Sequence, residues 1–83
     1  MRHAVVNFAE QMEARLKEHD VDKGGWGECT FRFLLDELKY HVEDLEEAIF
    51  EQGIFGNVEQ EAADIANFAM MIRDNFNNLR KKR

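Results

Sequence analysis

The sequence has no proline, a single cysteine, and no apolar run near the ~20 residues that span a bilayer. Each shortage excludes something. Without proline nothing imposes a break or kink inside a helix, so long uninterrupted helices are expected. With Cys29 alone, no intrachain disulfide can form, and a reduced, intracellular, cytoplasmic setting is the simplest expectation. The lack of a long apolar run argues against a membrane partner. The opening MRHAVVNFAEQMEARL meets polar residues too early for the core of a secretory signal. Basic residues are also scarce: 11 Lys and Arg face 17 Asp and Glu, a formal net charge of −6. Nucleic-acid binders draw affinity from neutralising phosphates, so no nucleic-acid partner is expected. A small phosphorylated ligand is compatible with the acidity, because a bound cation can bridge carboxylate and phosphate.

What is present is helical pattern. A chain of 83 residues makes one domain, 1–83, with a modest core that is marginal alone, and oligomerisation is the expected remedy. A first helix is expected over about residues 4–18, with Val5, Phe8, Ala9, Met12 and Leu16 on one stripe. The glycine-rich HDVDKGGWGEC reads as a loop. Thr30 is the expected N-cap of a second helix over about 30–52. Its Phe31, Leu35, Leu38, Val42, Leu45 and Ile49 recur at steps of four and three, a seam suited to lengthwise packing. QGIFGN breaks the pattern, and Asn57 with Gln60 reads as a capping box opening a third helix over about 57–79.

That third helix is apolar on two sides. Val58, Ala62, Ile65, Ala69, Ile72 and Phe76 make one face, and Ala63, Ala66 and Met70 a second. The second face reads either as a subunit interface or as a small-residue side against the first helix. Residues 80–83, RKKR, read as a frayed basic tail that offsets the negative end of the last helix. The expected fold is all-α: a three-helix antiparallel hairpin or bundle that completes a four-helix-type core by oligomerisation.

The acids carry the chemical signal. At about 100° per residue, Glu61 falls about 40° from Ile65, inside the apolar stripe, and Asp64 about 60° beyond it. Residues three apart are surface neighbours on a helix. A buried carboxylate must be paired, protonated or bound to metal. The bland alternative for Glu61 is a partly exposed acid favoured by the helix dipole near an N-terminus. On the second helix Glu37, His41 and Asp44 line one margin of the seam, with Glu47 beyond Asp44. Most charges in HVEDLEEAIFE fit a solvated face. Two helices with metal-capable residues at the edge of an apolar seam can nevertheless pool three or four ligand atoms in one pocket. Oxygen ligands suit Mg²⁺, which also takes waters and substrate phosphate oxygens.

At these residues the chain resembles the MazG-like branch of the all-α nucleoside triphosphate pyrophosphohydrolases, over about residues 19–75. KGGW at 23–26 is similar to the loop before the family's core helices. LLDELKYHVEDLEEAI, 34–49, resembles its first metal-binding helix, and EAADIANFAMMIRDN, 61–75, resembles the second, with its E-x-x-D pair and the following Asn67. The resemblance implies Mg²⁺-dependent hydrolysis of a nucleoside triphosphate to a monophosphate and pyrophosphate, with Mn²⁺ as an alternative ion, in a homodimer or homotetramer. It implies metal ligands at Asp44, Glu61 and Asp64, with Glu47 and His41 as further candidates and Glu61 and Asp44 carrying the catalysis. It implies substrate contacts from Lys23, Trp26 and Asn67.

The first metal motif departs from the family's two adjacent glutamates, two spacers and a third acid. One register puts Tyr40 and His41 on the glutamates and Asp44 on the third acid. A shifted register reads Glu43, Asp44 and Glu47 instead. The flanking seam residues favour the first. Imidazole suits Mn²⁺, Zn²⁺ or Ni²⁺ better than Mg²⁺, so His41 implies a shifted metal or a weakened activity. The competing expectation is a catalytically degenerate helical module that self-associates or binds a protein partner. DVDKGG has acids where a calcium loop begins, but Phe31 holds its twelfth position, which excludes that reading.

Overall fold

A computed structural model of the chain describes residues 1–23, 25–51 and 57–81, the side chains of 20–23 lying outside that description. The described residues form three helices and no strand: α1 (His3–Lys23), α2 (Phe31–Phe50) and α3 (Val58–Lys81). The fold is therefore all-α, as the periodicity requires. None of these helices is long and apolar enough to cross a membrane.

The helix ends follow local chemistry. α1 runs on to Lys23 rather than stopping near residue 18, because nothing in His19–Lys23 breaks a helix before Gly24. α2 begins where Thr30, in extended backbone, accepts the Phe33 backbone N–H on its Oγ1 at 3.1 Å. It closes at Glu51, whose N–H donates to the Glu47 carbonyl at 2.9 Å. The break expected at QGIFGN falls mainly on residues 52–56, outside the described residues. α3 starts directly after Asn57 with Glu59 and Glu61 in its first turn, and ends with Arg80 and Lys81 in its last. Both arrangements complement the helix dipole. Half of the expected basic tail is thus helix; residues 82–83 lie outside the described residues.

α3 is the spine. It packs against both α1 and α2, which make no close backbone approach to one another among the described residues. Cross-helix bonds show the directions. Met12 and Arg15 meet Asn67 and Asp64, and Cys29 and His41 meet Asn75 and Glu61, so α1 and α2 each run antiparallel to α3.

The faces differ from expectation. On α2 the line turned to α3 is Leu34, His41 and Ala48, spaced by seven, with Leu34 0% and Ala48 1% exposed. The expected seam is rotated roughly 80° from this line. Leu38 and Leu45 are half-buried, while Phe31, Leu35, Val42 and Ile49 are exposed. On α3 the buried residues are Ala63, Asp64 and Asn67. The stripe of Val58, Ala62, Ile65, Ala69, Ile72 and Phe76 lies on the opposite side, with Ala69 and Phe76 exposed and Val58, Ala62, Ile65 and Ile72 half-buried. Ala63, on the second face, is buried inside the single chain and Ala66 and Met70 are half-buried, which agrees with the small-residue side rather than the subunit interface. The rotation has a physical cause: Asp64 and Asn67 are the polar groups that find partners on α1, and turning them inward turns the apolar stripe out.

Two substitutions test this register. Leu34→Ala should lower the unfolding free energy in urea by about 2–5 kcal/mol, the usual penalty for emptying a fully buried leucine site. Leu35→Ala, in dilute solution, should lower it by less than about 1 kcal/mol.

Candidate metal centre

The polar groups of the three helices meet where α1 and α2 lean on α3 without meeting each other. His41, on α2, places Nδ1 2.7 Å from Glu61 Oε2 and 3.8 Å from Asp64 Oδ2. One ligand atom each from His41, Glu61 and Asp64 lies within 4.8 Å of the other two, and all three side chains are at most 19% exposed. An ionised carboxylate can only accept, so Nδ1 donates to Glu61 in this arrangement. The imidazole is fixed by its neighbours: its ring stacks on Phe68 at 5.4 Å, and Tyr40 meets it edge-on at 5.7 Å.

Asp64 has a second and closer cation. Arg15, on α1, donates through Nε to Oδ1 at 2.9 Å and through Nη2 to Oδ2 at 3.0 Å, a two-pronged pair that matches the fork of the guanidinium to the carboxylate. Its Nη1 donates to Glu18 at 2.6 Å on the outer side of α1. The bonds to Asp64 hold the guanidinium still more firmly protonated, against the opposing effect of burial. One turn earlier on α1 the Met12 carbonyl accepts from Asn67 Nδ2 at 3.0 Å, while Asn67 Oδ1 is buried with no hydrogen-bond partner among the described residues.

A cavity of about 300 Å³ opens beside this cluster in the wedge between α1 and α2. Arg15, His19, Glu37, His41, Asp64 and Asn67 are its polar lining, and Leu16, Phe33, Leu34, Phe68 and Met71 contribute apolar surface. Trp26 closes one end. α3 holds that loop: Trp26 Nε1 donates to Asp74 Oδ2 at 2.9 Å, and Asn75 Nδ2 donates to the carbonyls of Trp26 and Cys29 at 3.0 and 3.3 Å.

Several expected site residues are therefore brought together: His41, Glu61 and Asp64 in the cluster, Trp26 and Asn67 on the cavity. Asp44 is half-buried one turn beyond His41 but is not among the three converging ligands. Glu47 is exposed on α2. Lys23 is the last residue of α1 rather than part of a loop, and its side chain lies outside the described residues. Arg15, Asp74 and Asn75 went unremarked in the sequence. For Arg15 a signal exists, since it lies between Met12 and Leu16 at the edge of the apolar stripe of α1. Asp74 and Asn75 offer none, because their partners are the indole and backbone of a loop 48 and 49 residues away.

The donor set fits a divalent cation. Two carboxylates match its charge, and one imidazole tilts the preference from Mg²⁺ towards Mn²⁺ and other borderline ions. The residents to be displaced are the Nδ1 proton, since a coordinating histidine must offer a lone pair, and the Arg15 guanidinium. No protein-family model, curated protein or solved structure matches this chain.

The loop clamp gives a direct test. Asn75→Ala should reduce stability by about 1–2 kcal/mol. It should also shift the emission of Trp26, the single tryptophan, to longer wavelength as the loop loosens.

Proposed function

We propose that the chain is a divalent-cation-dependent nucleoside triphosphate pyrophosphohydrolase, releasing pyrophosphate and leaving the nucleoside monophosphate. The observation that carries this reading is the convergence of His41, Glu61 and Asp64, from two helices, beside a cavity that His41 and Asp64 line together with apolar and aromatic side chains. About 300 Å³ is at the small end for a ligand pocket. That volume accommodates a base among Phe33, Phe68 and Trp26, and the phosphates then lie at the polar lining. When bound, the cation would neutralise the phosphates and acidify an attacking water. The chain's own groups hold and orient it: Glu61 and Asp64 as ligands, His41 as the ligand from α2. The likeness of residues 61–75 to the second metal helix of MazG-like enzymes supports this reading, since both acids of the E-x-x-D pair face inward. So does the register that places His41, rather than Glu43 or Glu47, at a family glutamate position, because His41 is the residue of α2 that faces them.

A second reading is favoured by a different observation. Phe31 and Leu35 of α2 and Ala69, Ile72, Arg73 and Phe76 of α3 line one open groove that nothing among the described residues covers. Contiguous exposed apolar surface of this kind marks an association surface. A second copy of the chain laid along it would complete a four-helix core. Such a module needs no catalysis, and the pairing of Asp64 with Arg15 and of Glu61 with His41 satisfies both acids without a metal.

Pyrophosphate release from a panel of NTPs and dNTPs, with Mg²⁺ and with Mn²⁺, decides between the two. The expected result is release that is stronger with Mn²⁺ and falls to background in Glu61→Gln. No release from any nucleotide with either ion would overturn the enzymatic reading. For the groove, sedimentation equilibrium should show a dimer or larger assembly for the natural chain and a monomer for Ile72→Glu.

A further inference from the structure

Both oxygens of Asp64 are engaged by Arg15, at 2.9 and 3.0 Å, yet Asp64 is also one of the three residues whose ligand atoms converge. The two engagements exclude each other. A cation bound to Asp64 brings a double positive charge up against the guanidinium in a site where water screens little. Asp64 must then leave Arg15, and a guanidinium only 20% exposed is left short of a partner. Glu18 already takes Nη1, and it sits on the outer side of α1, 57% exposed. Arg15 also lines the cavity, together with Glu37, so a group bound there is within the guanidinium's range. A phosphate group entering there with the cation offers the guanidinium the same two-pronged geometry that Asp64 gives it now.

We propose that Arg15 is a resident counter-ion that makes cation binding at His41, Glu61 and Asp64 conditional on an accompanying phosphate group, the cation taking Asp64 and the phosphate taking the guanidinium. The inference rests on the divalent-cation reading above. It assigns Arg15 two partners in turn, and it requires that cation and phosphate each tighten the binding of the other by the same factor. It also makes the empty site self-neutralising, so that a free cation at low concentration does not load it.

The test is calorimetric titration of Mn²⁺ into the full chain, with and without a fixed concentration of inorganic phosphate, the association of Mn²⁺ with phosphate in buffer being measured separately. For the natural chain, phosphate should tighten Mn²⁺ roughly tenfold. Arg15→Gln should bind Mn²⁺ alone roughly tenfold more tightly than the natural chain, because the competitor is gone, and phosphate should add nothing further. Arg15→Lys keeps the charge without the fork, should fall between the two, and answers the question if Arg15→Gln does not fold. Mn²⁺ affinity in the variants no higher than in the natural chain, or a phosphate effect that survives in Arg15→Gln, would overturn the inference alone. Failure of the natural chain and both variants to bind Mn²⁺ would overturn it together with the divalent-cation reading.

Discussion

Asp64 lies at the centre of the helix packing with its side chain 10% exposed, and a carboxylate so placed requires an answering charge. Arg15 supplies it, and much of the architecture follows. The pair fixes how far along α3 the first helix sits, and the Asn67–Met12 bond one turn on repeats the same register. Because α1 is held to α3 by these polar groups and not to α2 by apolar ones, the two flanking helices stay apart and the cavity exists between them. Breaking such a buried pair by removing one partner typically costs about 3–5 kcal/mol, a large part of the stability of a domain this small.

The inward side of α3 is thus built from small and polar residues, Ala63, Asp64 and Asn67, and the fully buried apolar contribution from α2 is Leu34 and Ala48. This is little core for an 83-residue chain. The larger apolar side chains, Phe31, Leu35, Ile72 and Phe76, meet around an outer groove instead. Asp64 and Asn67 thus share the helix interface with Leu34, Ala48 and Ala63, while further large apolar side chains lie on an outer surface.

The helices themselves were legible because nothing opposes them: no proline interrupts the periodicity, and Thr30 marks the start of α2 unambiguously. Glu61, Asp64 and His41 were legible as chemistry because acids near an apolar stripe are costly. Which side of each helix faces inward was not. The apolar stripe of α3 was the natural candidate, and the structure leaves it half-buried to exposed, because periodicity locates a stripe without saying whether its partner is the same chain or another. Arg15 was missed for a related reason. A lone arginine beside Met12 and Leu16 looks like a snorkelling side chain until its carboxylate, 49 residues on, is known to be buried.

The divergence of α1 from α2 also bears on how the molecule opens. α2 and α3 clasp each other along their length, whereas among the described residues α1 makes close backbone approaches to α3 alone, and its first turns, Ala4 to Glu10, are exposed throughout. α1 is therefore the element that detaches at least expense, in a local opening that leaves the α2–α3 hairpin standing. Its hinge is the loop that Asn75 clasps, and its latch is the guanidinium on Asp64. Such an opening would part the floor of the cavity from its Arg15 wall, and backbone amides along α1 should exchange with solvent ahead of those in the helix it leans on.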